Sequence, residues 1–515
     1  MKSYFLLLNL LMLNLILASQ NVMISNEGTP NEPSIMMNPY NQAYLVAGSN
    51  TNNYYLSSDT GRTWTVHTLN SSYGVWGDPS INVDTAGHFY FFHLSNYSGG
   101  TWIDRIVCQK SEDNGNSWSD GSYTGLNGTK AQDKEWSAVD RSNNTLYLTW
   151  TQFDSYGSTA TEDSSLIMFS KSTDGGLSWS DAMRISQQGG NCVDNDNTVE
   201  GAVPAVGPDG EIYVAWAGPA GLVFNKSTDT GETWLENEIS IDPMPGGWAF
   251  DIPGISRCNG LPITKCDTSG GEFHGTIYVN WSDQRNGTDD TDVWLSKSMD
   301  GGETWSTAVR VNNDPPVSQQ FFTWMDIDQS DGTLYFVFYD RREQAGNNTD
   351  VYMAVSKDGG ITFENIKISE SFFLPNSGIF FGDYNNITVH NGIVRPIWTR
   401  LHEGQLSVWT ELSPLSEDPT GIQEEVEPGE VMMYPNPVSD KAYISFKLHK
   451  TQAVSLSLSN QTGSRSVVVF DNKTFEMGKH IIPIDIEQFG LNSGVWYPEL
   501  RTEEKSTSLK IIVVR

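Results

Sequence analysis

The 515-residue chain carries 63 Asp and Glu against 31 Lys and Arg, a formal charge of −32. Contacts to a phosphate backbone or an anionic membrane need clustered cations, so this balance argues against nucleic acid and acidic lipid as partners. The length leaves room for a large core and more than one domain, and four cysteines suit an oxidising compartment without forming a disulfide scaffold.

In chain order, residues 1–20 come first. Lys2 precedes an apolar run from Tyr4 to Leu17, broken only by Asn9 and Asn14, and then Ala18-Ser19-Gln20. This pattern predicts a secretory signal peptide. No later stretch is apolar enough to span a bilayer, so the expectation is an exported, soluble protein.

Residues 21–413 are built from three interleaved repeats. The first is Ser57-Ser58-Asp59-Thr60-Gly61-Arg62-Thr63-Trp64, which recurs from Ser111 to Trp118, Ser172 to Trp179, Ser227 to Trp234, Ser298 to Trp305 and Ser356 to Phe363. Each copy has the chemistry of a tight turn: an Asp that accepts from turn N–H groups, a Gly free to take positive φ, and an aromatic opening the next strand. The second repeat is a strand centred on Tyr, at Tyr44, Tyr90, Tyr147, Tyr213, Tyr278 and Tyr335, with a degenerate seventh copy from Val394 to Trp398. The third is an opening strand, as in Glu32-Pro33-Ser34-Ile35, Asp78-Pro79-Ser80-Ile81 and Glu135-Trp136-Ser137-Ala138. The fifth opening is read at Ile252-Pro253-Gly254-Ile255 and the seventh at Asp383-Tyr384-Asn385. Units of four short strands at a regular period predict a radial array of blades. The seventh unit lacks a fourth strand, and Asn21-Val22-Met23-Ile24-Ser25 matches the fourth strands of other units, so the two ends are expected to share a blade.

The turn repeat resembles the Asp-box, or BNR repeat, of sialidases and related β-propellers. The resemblance implies an all-β propeller with seven blades, six being the alternative because that number is usual in sialidases, and it implies chemistry on the face opposite the boxes. Sialidases hold the substrate carboxylate with three arginines, the first in an Arg-Ile-Pro motif. Here Asn31-Glu32-Pro33-Ser34 puts a carboxylate at that place, so no sialidase catalytic residue is carried over and exo-sialidase activity is disfavoured.

Residues 414–431, from Pro414 through Glu424-Glu425-Val426-Glu427-Pro428, read as an acidic linker. Residues 432–515 open on Tyr434-Pro435-Asn436-Pro437 and end on Lys510-Ile511-Ile512-Val513-Val514-Arg515. This tail resembles the type A C-terminal sorting domain of the type IX secretion system of Bacteroidota. The resemblance implies a small β-sandwich recognised by that machinery; Pro498, inside an expected strand, departs from the pattern.

The opening strands collect acids on one face: Glu32, Asp78 and Glu135 in register, Asp251 and Asp383 one residue earlier, and Glu200 three earlier. Paired carboxyls can serve as general acid and base, and Tyr384 beside them is a candidate nucleophile. Arg257, Arg285, Arg341 and Arg400 fall in loops on the same face, where guanidinium groups can bind a carboxylate or sulfate. The alternative is that these arginines pair with neighbouring acids such as Asp283 and Asp340. Asp194, Asp196 and Glu200 space oxygen ligands as a calcium loop would, without the full pattern. Cys258 with Cys266, and Cys108 with Cys192, are the expected disulfides. Of 17 Trp, five close boxes and others lie on core strands; Trp76, Trp102, Trp136, Trp248 and Trp324 fall where a sugar could stack. The expected function is a secreted glycoside hydrolase acting on acidic or decorated glycans. A noncatalytic glycan- or protein-binding propeller is the alternative, and a polysaccharide lyase using Tyr384 or His402 as base is a second.

Overall fold

The computed structural model describes residues 20–412 and, within 431–514, all but 435–437, 439–440, 449, 461–465, 487, 503–505 and 510. The expected signal peptide, nearly all of the linker, and parts of the two tail motifs lie outside these residues. The chain divides into two compact units, Met1–Ser416 and Glu417–Arg515. Among the described residues every regular element is a strand.

The first unit contains seven four-stranded antiparallel sheets, each formed by strands adjacent in sequence except the last. Their first strands are Ser34–Met37, Gly77–Val83, Ala131–Asp140, Glu200–Val206, Ile263–Cys266, Gln320–Asp328 and Asn386–His390. Each packs beside the first strand of the next sheet, and the seventh packs beside that of the first sheet. One residue from each of these strands, Met36, Asn82, Ser137, Pro204, Lys265, Asp326 and Thr388, lines a common cavity of about 500 Å3. The fifth first strand is not the expected Ile252–Ile255 but Ile263–Cys266. A small hairpin of Ala249–Phe250 and Cys258–Asn259 intervenes, so Asp251 sits exposed in its loop.

The seventh sheet is completed by the N-terminus, as expected: Asn21–Ser25 pairs with Gln405–Glu411. This covers a strand edge whose free N–H and C=O groups would otherwise template pairing with other chains. The second strands are buried because each lies between two neighbours in its own sheet and between two sheets. Trp150, Trp216, Trp281 and Trp398 are all under 2 % exposed.

The boxes form the turns between third and fourth strands. In the first, Ser57 Oγ donates to Asp59 Oδ1 at 2.8 Å and accepts from Gly61 N at 2.8 Å, while Asp59 accepts from Thr63 N and Thr63 Oγ1 at 2.9 and 2.6 Å. Gly61 sits at φ +83°, a conformation that strains other residues. The box also joins sheets: Lys171, Lys226 and Lys297 each donate from one sheet to a box carbonyl of the next, at Thr230, Gly301 and Gly359. On the first box that place is taken by Arg395 of the seventh sheet, whose Nε donates to Thr60 O at 2.7 Å.

All four cysteines are free thiols. Cys258 lies in the small hairpin opposite Phe250, whereas Cys266 ends the fifth first strand opposite Ile277, so the extended run 263–266 carries the two apart. Cys108 packs under the box of the third sheet at Gly176, while Cys192 lies in the loop bonded to Gly157.

In the second unit, Val431–Tyr434, Lys441–Leu448 and Gly478–Asp485 form one sheet. Ser466–Phe475, Gln452–Asn460, Gly494–Arg501, Ser506–Ser508 and Ile511–Val513 form another. Ala442, Leu458, Trp496 and Ile511 meet in one apolar cluster drawn from both. Pro498 is tolerated because Gly494–Arg501 faces two short strands in turn, and Pro498 lies opposite the break between them.

Candidate functional site

The site is made by a backbone irregularity repeated from sheet to sheet. Two residues before the regular pairing of the first strand begins, Glu32, Asp78, Lys134, Gly201 and Phe322 all take φ between +50° and +81°. In the second, third, fourth and sixth sheets the ladder slips at this point, as it does at a β-bulge. A bulge turns one side chain off the alternation of the strand and re-aims it. Here it brings Glu32, Asp78 and Lys134 together.

Lys134 Nζ lies 2.6 Å from Asp383 Oδ2, 3.6 Å from Glu32 Oε1 and 3.7 Å from Asp78 Oδ2. Asn50 links the two acids, donating to Glu32 and accepting from the Asp78 N–H at 2.8 Å. Tyr384 donates to Asp78 Oδ1 at 3.4 Å and packs edge-on to Trp136. Arg257, from the fifth sheet's hairpin loop, donates from Nε to Asp383 Oδ1 at 2.9 Å, from Nη2 to Asp383 Oδ2, and from Nη1 to Asp194 Oδ2 at 3.0 Å. Its side chain is 42 % exposed and covers Asp383, which is nearly sealed.

Burial and charge split the carboxyls. Desolvation pushes Glu32 well above the carboxylate range against the pull of Lys134, with Asp78 and Asp383 adding to the rise. Asp383 is buried too, but Lys134 and Arg257 overcome that and hold it well below its ordinary value. Asp133, beside Lys134 in sequence, is pushed by burial up to about 7. Burial also raises Glu135 and Glu200. Lys134 is held charged by Asp383, Asp78 and Glu32, although desolvation opposes it.

The sequence expectations fare unevenly. Glu32, Asp78, Asp383 and Tyr384 converge. Glu135 does not: the register places Lys134 beside Glu32 and Asp78, and both Glu135 oxygens are buried without a hydrogen-bond partner among the described residues, as are those of Glu200. Burial and the neighbouring carboxylates push the Tyr384 phenol up, so its hydrogen goes to Asp78. Of the arginines only Arg257 reaches the cluster. Arg285 pairs with Asp283 and Asp242, the latter at 2.8 Å, and stacks on Trp294. Arg341 donates to Thr349 Oγ1 at 3.0 Å and burial lowers it to about 10; Asp340 pairs instead with Arg342 at 2.7 Å. Arg400 donates to Ser371 and lies over Trp409.

The calcium expectation is not met. Asp194 turns to Arg257 and Tyr156, Asp196 accepts from the Ala249 N–H at 2.7 Å, and Glu200 is sealed in the fourth first strand. Among the described residues no three acidic, His or Cys side chains gather as a metal would require. The residues that sequence reasoning missed are Lys134, Asn50, Asp133 and Tyr156. For Lys134 the signal was present: aligning Ser80 with Trp136, not with Ser137, puts Lys134 in line with Glu32 and Asp78.

Comparison with known proteins matches the BNR repeat-like domain over residues 144–507, from the third sheet into the second unit. No curated protein matches. Among solved structures, a Hadza microbial sialidase is 14 % identical, with a TM-score of 0.40 over 72 % of this chain and 73 % of that one. The NanB sialidase of Streptococcus pneumoniae is 10 % identical, TM-score 0.43, over 72 % and 83 %. A Dyadobacter fermentans protein of unknown function is 12 % identical, TM-score 0.44, over 77 % and 98 %. The chain belongs to the BNR repeat-like family and has a propeller-type, all-β fold.

Proposed function

We propose that this is an exported glycoside hydrolase built on a seven-bladed propeller, with its chemistry at the Glu32–Asp78–Lys134–Asp383 cluster. Seven four-stranded sheets whose first strands pack in a cycle around one cavity support the blade count. A small sandwich then follows and serves as a type IX sorting domain, and residues 1–20 act as the export signal; the sequence motifs carry this part of the reading.

The observation that carries the activity is the division of protonation between carboxyls sharing one lysine. Burial pushes Glu32 above the carboxylate range, while Lys134 and Arg257 hold Asp383 below its own. Glycoside hydrolysis needs such a pair: one carboxyl protonates the leaving oxygen, and one carboxylate works on the opposite side of the sugar. In this reading Glu32 is the acid and Asp383 the partner carboxylate, while Lys134 positions both. Tyr384 is a hydrogen-bond donor to Asp78.

The substrate reading shifts from acidic to neutral or decorated glycans. Lys134 and Arg257 are both committed to carboxylates, and three of the four candidate arginines serve elsewhere. The lyase alternative is less favoured, since burial and nearby carboxylates raise the Tyr384 phenol and His402 packs on Trp409. The binding-module alternative is favoured by one observation: Glu32, Asp78, Lys134 and Asp383 are each under 10 % exposed beneath Arg257.

The test is release of reducing sugar and of aryl aglycone from neutral, sulfated and sialylated substrates. Wild-type turnover with loss of at least about a hundredfold in both Glu32→Gln and Asp383→Asn supports the hydrolase. Turnover that survives both variants rejects the assignment, and binding without turnover selects the binding module.

A further inference from the structure

Deepening the proposed function, and resting on its placement of the site, we propose that Trp76 and Trp102 form a stacking platform for neutral pyranose units beside the cluster. Of the five Trp expected where a sugar could stack, Trp136, Trp248 and Trp324 are under 9 % exposed and belong to the core. Trp76 and Trp102 are 40 % and 44 % exposed, in edge-to-face contact at 6.2 Å. Neither indole N–H bonds another described residue, so each ring offers an apolar face with a free donor at its edge. That combination suits a sugar, whose ring face is C–H and whose rim is hydroxyl.

The platform is held firmly. Trp102 lies in the loop 95–105, where Ile103 N donates to Ser95 O at 3.2 Å and Gln132 N donates to Ile103 O at 2.8 Å. Arg105, paired with Asp104 at 2.8 Å, sits 4.9 Å from the Tyr97 ring and 4.7 Å from the Tyr123 ring. Exposed rings on a loop tied down in this way bind with little ordering cost.

The platform also leads to the cluster. Trp76 directly precedes the strand that carries Asp78. Trp102 meets Tyr156 at 5.5 Å, Tyr156 Oη donates to Asp194 Oδ2 at 2.8 Å, and Asp194 holds Arg257 at 3.0 Å over Asp383. The rings are therefore continuous with the proposed catalytic groups through side-chain contacts. With the local cations committed and acids all around, an uncharged oligosaccharide fits this face better than an anionic one.

The experiment uses the full chain, wild type and Trp76→Ala/Trp102→Ala, titrated with cellohexaose, xylohexaose, mannohexaose, N-acetylated chitohexaose and sialyllactose while tryptophan emission is followed. Saturable change with at least one hexasaccharide is expected, with affinity at least about tenfold weaker in the double variant. A melting temperature close to wild type establishes that the variant is folded. If it melts early, protection of wild-type emission from acrylamide by bound sugar replaces it, and no protection overturns the platform. Unchanged affinity in a folded double variant, no saturable binding of any hexasaccharide, or binding only of sialyllactose also overturns it. Because the readout is binding, Glu32→Gln should still bind; loss of turnover with retained binding leaves the platform standing, while turnover of aryl glycosides without hexasaccharide binding removes the platform alone.

Discussion

Lys134 and Asp383 are 249 positions apart in sequence, yet their Nζ and Oδ2 atoms lie 2.6 Å apart in a buried setting. That contact joins the third sheet to the loop entering the seventh. Lys134→Met should leave Asp383, Glu32 and Asp78 facing one another with Arg257 alone to balance them. Removing one partner of a buried ion pair typically costs about 3–5 kcal/mol. Urea unfolding should show a loss of that order, with partial recovery when Asp383→Asn is added. A change below about 1 kcal/mol would mean that water already screens the pair.

Stability should fall as pH rises from mildly acidic to alkaline. Burial raises Glu32, Glu135 and Glu200 and lifts Asp133 to about 7 in the folded chain. In the unfolded chain these groups lose their protons near pH 4, roughly the ordinary carboxylate value. Between those limits the folded state binds more protons, so raising pH favours unfolding. Asp383 works the other way: its pKa is depressed, so its contribution is present above about pH 4 and lost as pH falls below that. Melting temperature should therefore peak on the mildly acidic side and decline toward alkaline pH, with a smaller decline in Asp133→Asn. A flat profile through neutrality would contradict the buried-acid account.

The turn boxes should act as independent supports of similar worth. Ser298→Ala removes the acceptor for Gly302 N and the donor to Asp300 Oδ1, both bonds being within 2.8 Å. Leaving the Gly302 N–H unpaired in a buried turn should cost about 1–3 kcal/mol. Calorimetry of Ser57→Ala and Ser298→Ala should give matching losses, and strongly unequal losses would show that the turns are not equivalent.

Ile24, 5 % exposed, packs the N-terminal strand into the cluster between the seventh and first sheets, with Val408, Ile35 and Leu45. Ile24→Asp should detach this strand and expose the edge of Gln405–Glu411. Size-exclusion chromatography should then show self-association absent from the wild type; a monomer of unchanged stability would show that the strand is dispensable.

What was legible in the sequence was whatever repeats. Asp59 and its five counterparts, the Tyr strands and the resemblance of Asn21–Ser25 to other fourth strands mark turns, core and the shared sheet, because each unit solves the same packing problem with the same residues. The site was half legible. Glu32 and Asp78 share the Pro that follows them, but the third sheet has no such Pro to fix the alignment, so Glu135 stands out although Lys134 holds the equivalent position. Ile252-Pro253 imitates an opening strand, and only the tertiary hairpin reveals that it is a loop. Arg285, Arg341 and Arg400 show why the loop arginines misled: Arg285 finds Asp283 two residues away, and the other two turn to Thr349 and Ser371.

The shared seventh sheet also sets an order of events. Gln20 N and Glu411 Oε1 bond across 391 positions, whereas the other sheets join strands adjacent in sequence. During synthesis those sheets can form as their residues emerge, with short loops to close. The first strand, made earliest, must wait for the last. A polypeptide cut short before Gln405 keeps that strand unmatched, with the N–H and C=O groups of its edge unpaired.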